Sequence, residues 1–222
     1  MTKLFTGEIL PYYDEAEPAT LRIFGNDKWD LFQLRSKFGI VSMDLQSRFD
    51  ESTSIYEVIC SGFFSSLDVY RDKVVTERMR SKVVSCARLM GIDDILLRPI
   101  GAVSLGEMRR AMIARALVLE PEILLLDEPM TGLDIVMRSK FRMMFDHLIE
   151  AGITLIMITH DLLDIPVSVR RVIAMKDGSI LYDGPKNIVL NDDRVSEVFG
   201  ESIKVIEDKG TYRMYIREGA GQ

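Results

Sequence analysis

Two residue types that build cross-linked or metal-bound sites are scarce in this chain. Its 222 residues include two cysteines, Cys60 and Cys86, and two histidines, His147 and His160. Two cysteines exclude a disulfide framework and a four-cysteine zinc site, so we expect both to act as small apolar residues in a reducing compartment. Two histidines likewise exclude a multi-histidine metal site.

Long apolar runs and a basic excess are also missing. No uncharged apolar stretch approaches the roughly 18–20 residues of a membrane span, and Glu8 interrupts any signal-peptide-like start. We therefore expect a soluble, cytoplasmic protein that meets the inner face of a membrane only through a partner. The formal net charge of −6 is not typical of a nucleic-acid binder, so no nucleic-acid partner is expected.

The chain does have the alternation of an α/β domain. Unbroken apolar runs at 123–126 and 154–158 predict strands buried on both faces, as in a parallel sheet. Helical spacing or turn signals predict further helices, strands and hairpins. These lie at 8–24 (two strands and a turn), 30–37 (helix), 39–42 (strand), 54–61, 75–90, 104–119 and 135–150 (helices), 172–182 (hairpin) and 203–217 (hairpin). The strand–helix alternation in the middle of the chain indicates a layered α/β core.

Two adjacent acids, Asp127 and Glu128, end the first apolar run. The carboxyl end of a core strand is where α/β folds bind ligands. Because neighbouring strand residues point in opposite directions, the two carboxylates can take different tasks. Asp127 could hold Mg²⁺, which prefers oxygen ligands, and Glu128 could polarise a water as a general base. Taken alone, such a pair more often simply marks the point where a strand meets solvent.

His160 ends the second apolar run, between Thr159 and Asp161. We expect it at the same edge of the sheet, one strand over from the acids. A neutral imidazole there can contact a phosphate oxygen or orient a water, although a lone histidine at a strand end is more often structural. His147 falls within a predicted helix and is interpreted as a surface or core residue.

Ser104, with Glu107 three residues later, matches a capping box at the start of a helix. The N–H groups and the positive dipole end of such a helix can also bind an anion. An ordinary capped helix is the alternative interpretation.

These segments occur in a specific order: VSLGEMRR at 103–110, LLLDEP at 124–129, TGLD at 131–134 and THD at 159–161. The order resembles the ATPase domain of ABC proteins over essentially the whole chain, most specifically over 103–161. The resemblance implies an α/β fold with a P-loop NTPase-like parallel sheet core, a helical lobe and a partial antiparallel β lobe. It implies one ATPase domain over 1–222, with the helical lobe at 43–100 and a C-terminal hairpin at 201–217.

The resemblance implies ATP as substrate and Mg²⁺ as cofactor. Asp127 would serve the metal, Glu128 would be the catalytic carboxylate and His160 would sense the γ-phosphate. A second ABC ATPase domain is the implied partner, in a homo- or heterodimer that binds ATP between its halves. The residues assigned to that nucleotide or to the interface are Ser104, Gly106, Glu107, Asp134 and Gln46.

A membrane permease subunit is the other implied partner. Residues 43–75 are expected to belong to the helical lobe that touches it. The aromatics Phe63, Phe64 and Tyr70 could contact the permease or pack the core of that lobe.

The sequence departs from the family pattern in several places. No lysine follows a glycine, so the G-x-x-x-x-G-K-[ST] phosphate loop is absent. We expect an N-terminally incomplete domain that lacks this loop and the first strands, with a naturally degenerate subunit as the alternative. Leu105 and Glu107 stand where a glycine and a glutamine are usual. Gln46 could replace the glutamine of the family's Q-loop, which falls nearest Met43, or be an ordinary loop residue.

The sequence therefore predicts an ATP-binding, ATP-hydrolysing subunit that couples hydrolysis to transport. The alternative is a non-catalytic partner whose signature helix completes a neighbour's ATP site. The segment FGIVSMDLQ at 38–46 is similar to metal-complex transporters and to the molybdenum-linked soluble branch of the family.

Overall fold

The computed structural model describes residues 22–26, 30, 37–42, 48–64 and 74–217. These form two compact units: one runs to Pro129 and includes Ile153–Met157, and the other comprises Met130–Gly152 and the residues from Ile158 on. Most of the elements predicted at 8–24 and 30–37 lie outside the described residues. Within the described ranges, no helix is long and apolar enough to cross a membrane.

The first unit contains a three-stranded sheet in the order β1 (Phe38–Val41), β2 (Ile123–Asp127) and β3 (Thr154–Ile158). β1 runs parallel to β2, with Phe38 opposite Ile123. Leu124, Leu125 and Leu126 are fully buried, as their unbroken run predicts. The same prediction is wrong for β3, where Thr154 is exposed and the other residues are only half-buried. The reason is its position, because β3 lies at an edge of the described sheet and pairs on one side only.

The described residues of this unit also form three α-helices: α1 (Ile55–Ser61), α2 (Glu77–Leu89) and α3 (Leu105–Leu117). α3 packs against α1, α2 and β1. The approach is close, because a Cβ on Gly62 would lie 2.3 Å from the Arg115 carbonyl oxygen. A Cβ on Gly39 would lie 2.8 Å from the Ala116 carbonyl oxygen. Glycine is therefore needed at both positions for the backbone of α3 to sit against its neighbours.

A half-buried arginine links two of these helices. Arg115 on α3 donates from Nε to Ser61 Oγ at 2.9 Å, and its guanidinium carbon lies 5.9 Å from the centre of the Phe49 ring. Burial lowers the pKa of Arg115 to about 10, so the group stays protonated at neutral pH.

The second unit opens with α4 (Ile135–Glu150), the helix with the bounds that the sequence predicts. It continues with a hairpin, two short helices and a second hairpin: β4 (Arg171–Lys176), β5 (Ser179–Pro185), α5 (Lys186–Val189), α6 (Asp192–Phe199), β6 (Ile203–Asp208) and β7 (Thr211–Ile216). Both hairpins are antiparallel and lie where they are predicted. Side chains from the turn after His160, from the short helices and from the second hairpin share one core: Leu162, Val189, Leu190, Val195, Ile203 and Tyr212.

Lys186 ties this unit together from within. It is 8% exposed, and its Nζ donates to the carbonyl oxygens of Pro166 (3.2 Å), Val167 (2.8 Å) and Gly210 (3.2 Å). The ammonium also lies 5.6 Å from the centre of the Tyr212 ring. Burial lowers its pKa. One lysine thus joins the loop before β4 to the turn between β6 and β7.

Candidate functional site

The two acids at the end of β2 have different backbones. Asp127 is the last strand residue, whereas Glu128 has a φ of +46°, in the left-handed region. Both side chains are half-buried. The strand alternation that the sequence predicts does not extend to Glu128, because this residue lies in the turn after β2. A left-handed glutamate is uncommon and has to be supported by its surroundings.

Arg109 supplies part of that support. It lies on α3 and is 3% exposed. Its Nη1 donates to the carbonyl oxygen of Pro129 at 2.6 Å and to that of Glu128 at 3.3 Å. The helix that begins at Ser104 is thus fastened to the backbone that carries the acids. Burial lowers the pKa of this guanidinium, which nevertheless remains charged at neutral pH because arginine titrates far above it.

The capping box predicted at the start of α3 is present. Ser104 Oγ accepts from the Glu107 amide at 3.3 Å, and Glu107 Oε2 accepts from the Ser104 amide and hydroxyl, both at 2.7 Å. The backbone hydrogen bond from Ser104, followed by the one from its hydroxyl, lowers the pKa of Glu107. Ser104 and Leu105 are exposed, whereas Gly106 is buried. The negative charge of Glu107 is thus bound at the N-terminus of its own helix.

Asp134 caps α4 in the second unit. Its Oδ1 accepts from the amides of Val136 (2.9 Å) and Met137 (2.8 Å). The residue is exposed, so it combines a capping role with an accessible position. The sequence patterns alone did not predict this cap.

His160 follows β3 and is exposed, and the residues on both sides of it are tied down. Thr159 Oγ1 accepts from the Asp161 amide at 3.2 Å and donates to Asp164 Oδ2 at 3.1 Å. Arg138 on α4 donates from Nη2 to Asp161 Oδ2 at 2.5 Å and from Nε to Asp164 Oδ1 at 2.7 Å. Burial raises the pKa of Asp161, but the hydrogen bonds from Arg138 and from the Leu163 amide outweigh it and lower the pKa.

Sequence reasoning missed the roles of Arg109 and Arg138. The only available signal was an arginine at the core-facing spacing of a predicted helix, where an apolar residue is expected.

His147 is exposed on α4. Phe63 and Phe64 are half-buried in a 3₁₀ turn after α1, whereas Gln46 and Tyr70 lie outside the described residues.

The chemistry of Asp127 fits a magnesium ligand. The described residues contain no group of three or more histidine, cysteine or acidic side chains that could hold a metal ion. Mg²⁺ does not require such a cage, because it commonly binds through one or two carboxylates together with substrate phosphates and water. A half-buried carboxylate at the end of a core strand meets that requirement.

Comparison with known proteins places the chain among ABC cassettes. The model of the family described as "ABC transporter" matches residues 2–131. The uncharacterized ABC transporter ATP-binding protein YlmA of Bacillus subtilis is 31% identical over 78% of this chain and 66% of its own length. The ABC transporter ATP-binding protein ModF of Escherichia coli is 35% identical over 70% of this chain and 31% of its own length. This chain thus spans less than two thirds of either relative.

A solved structure agrees with these matches. The structure of cbiO1 from Clostridium perfringens superimposes with a TM-score of 0.67 at 27% identity, covering 88% of this chain and 75% of that one. The family match includes the capped helix α3, the strand β2 and both acids at its end. The resemblance and the fold class predicted from the sequence are thereby confirmed, and the chain belongs to the ABC transporter family of ATP-binding domains.

Proposed function

We propose that this chain is the ATP-binding and ATP-hydrolysing part of an ABC transporter. One observation carries the proposal. Arg109, a buried residue of the capped helix α3, donates hydrogen bonds to the backbone turn that contains Glu128, and both residues lie in the segment that matches the family. Catalysis of phosphoryl transfer consists largely of positioning and of electrostatic stabilisation. A carboxylate on a fixed backbone turn serves that purpose.

In the proposed reaction, Glu128 accepts a proton from the water that attacks the γ-phosphate of ATP, and ADP leaves with the phosphorus–oxygen bond electrons. Asp127 would hold Mg²⁺, which would supply positive charge to stabilise the phosphates. His160 donates to a γ-phosphate oxygen. Each task matches the chemistry of the side chain and its place at a strand end.

Two cassettes act together in this proposal. Ser104 and Gly106 approach the nucleotide of the second cassette, and Asp134 lies at the interface, as its exposed position allows. Glu107 contributes through the cap that it forms with Ser104. Gln46 is proposed to contact the nucleotide, as the family resemblance implies.

A permease subunit is the further proposed partner, at the cytoplasmic face of a membrane. In C. perfringens, cbiO1 is part of an ABC transporter complex, cbiONQ. The proposed permease contact is the helical lobe at 43–100, which includes α1 and α2 within the described part. The division of the chain into one domain with this lobe also remains a proposal.

The decisive experiment measures phosphate release from ATP. Since the chain contains no G-x-x-x-x-G-K-[ST] motif, we expect little turnover by the 222 residues alone. Strong turnover is expected from a form extended upstream by about 30–40 residues to include such a motif. Glu128→Gln in the extended form serves as the control. Persistent hydrolysis in that control would refute the role of Glu128, and equal turnover by the short chain would refute the need for the upstream motif.

A further inference from the structure

We infer that Arg138 is a positioning residue for His160, holding the backbone on both sides of this histidine through a fork to Asp161 and Asp164. The inference rests on the proposed function in one respect only, because it is the proposed function that gives His160 a catalytic task. The positioning itself is a property of the second unit and can be measured without nucleotide.

Arg138 contacts both acids through one guanidinium group. Arg138 Nη2 donates to Asp161 Oδ2 at 2.5 Å, Nε donates to Asp164 Oδ1 at 2.7 Å, and Nη2 also pairs with Asp164. Arginine presents its donors in one rigid plane, so a contact to two carboxylates fixes their separation. The two acids therefore cannot move independently while the fork is intact.

The charged groups of the fork are largely shielded from solvent. Asp164 is 6% exposed, and a buried carboxylate without its charge partner is costly. The side chain of Arg138 is 23% exposed, so the pair is shielded from water and loses less to solvent screening than a surface pair does. The fork is therefore a strong constraint on the segment.

Hydrogen bonds connect the fork to the residues on both sides of His160. Asp164 Oδ2 accepts from Thr159 Oγ1 at 3.1 Å, and the same hydroxyl accepts from the Asp161 amide at 3.2 Å. Asp161 Oδ1 accepts from the Leu163 amide at 2.9 Å. The residue before His160 and the residue after it are thus joined to one another and to Arg138. The exposed imidazole stands on a backbone that is fixed from both sides.

The fork has a close chemical match elsewhere in the same unit. Arg171 donates to both oxygens of Asp183, at 2.7 and 2.6 Å, between β4 and β5. This pair is more exposed and lies in another element. Arg171→Gln therefore removes a forked arginine–aspartate contact without touching the segment around His160.

The test uses NMR spectroscopy of the full 222-residue chain. Because the chain has only two histidines, the His160 ring signal can be assigned with a His147→Gln variant. We expect Arg138→Gln to broaden or split that signal and to speed amide exchange at Asp161 and Leu163 by on the order of tenfold, through local opening. Arg171→Gln should leave both readouts as in the wild type.

Arg138→Lys keeps the charge but cannot form the fork. Fast exchange at Asp161 and Leu163 in this variant supports positioning by the fork, whereas wild-type exchange would show that charge alone is enough and would overturn the inference. If Arg138→Gln does not fold, this lysine variant decides. Wild-type exchange and an unmoved His160 signal in folded Arg138→Gln would also overturn it.

Hydrolysis separates this inference from the proposed function. If His160→Ala leaves turnover in the upstream-extended form unchanged while Arg138→Gln loosens the segment, the catalytic role of His160 fails and the positioning holds. If His160→Ala abolishes turnover and Arg138→Gln changes neither turnover nor exchange, the positioning fails and the role of His160 holds.

Discussion

Two capping boxes of the same design allow stability and function to be separated at Ser104. One box joins Ser104 to Glu107 at the start of α3, and the other joins Ser54 to Glu57 at the start of α1. The serine oxygen accepts from the glutamate amide at 3.3 Å in the first and at 3.2 Å in the second. In both, the serine hydroxyl donates to the glutamate at 2.7 Å. Serine-to-alanine substitution therefore removes the same two hydrogen bonds at each site.

The backbone bond from the serine amide to the glutamate survives both substitutions, at 2.7 Å in α3 and 2.8 Å in α1. We therefore expect each alanine variant to lose about 1 kcal/mol of unfolding free energy, the middle of the range for an N-cap. For a chain of this size that loss lowers the melting temperature by about 2–4 °C. Thermal unfolding followed by circular dichroism measures this part.

Hydrolysis should distinguish the two sites. If Ser104 approaches the second cassette's nucleotide, Ser104→Ala in the upstream-extended form should lose turnover on the order of tenfold, equivalent to about 1.4 kcal/mol of transition-state stabilisation. Ser54→Ala should keep turnover close to that of the wild type. Equal turnover in the two variants would refute the role of Ser104, and an unchanged melting temperature in both would refute the capping argument.

Three further outcomes are expected. Glu128→Gln should abolish phosphate release while keeping the melting temperature, because the backbone carbonyl that Arg109 binds is retained; a large loss of stability would contradict this. Gly62→Ala should cost on the order of 1–3 kcal/mol in urea unfolding, because its Cβ would lie 2.3 Å from a backbone oxygen of α3, whereas Gly184→Ala, with its nearest contact at 3.7 Å, should be nearly neutral. The pKa of Asp192 is lowered from 3.8 to about 2, first by the hydrogen bond from Lys204, so its contribution to stability is complete above pH 3.8 and is lost as the pH falls toward 2. Urea midpoints across that range should fall less steeply in Asp192→Asn, and parallel curves would refute this.

The elements that the sequence predicted well are those whose signal is local. The helix at 135–150 has enough turns to show its spacing, and both hairpins carry a glycine at a turn position with positive φ, Gly178 and Gly210. The helices α5 and α6, with four and eight residues, are too short to show a period. Burial of β3 could not be predicted, because it depends on which strands pair beside it rather than on its own residues.

The same distinction between local and long-range signals applies to the candidate site. The capping box at Ser104 and Glu107 could be predicted because both partners lie within one helical turn. The contacts of Arg109 and Arg138 join residues 20 and 26 positions apart, so no local pattern reveals them. Helical spacing places both arginines on the core-facing side but does not identify their partners: Arg109 is a buried donor to carbonyl oxygens, and Arg138 forms a fork between two acids.

The left-handed backbone of Glu128 has a consequence for how such cassettes can change over evolution. At a φ of +46°, glycine and asparagine are better accommodated than most residues, and β-branched residues are poorly accommodated. Replacing this glutamate by glycine or asparagine would remove the carboxylate without adding backbone strain. The chain can therefore lose its proposed catalytic group by single substitutions that the fold tolerates.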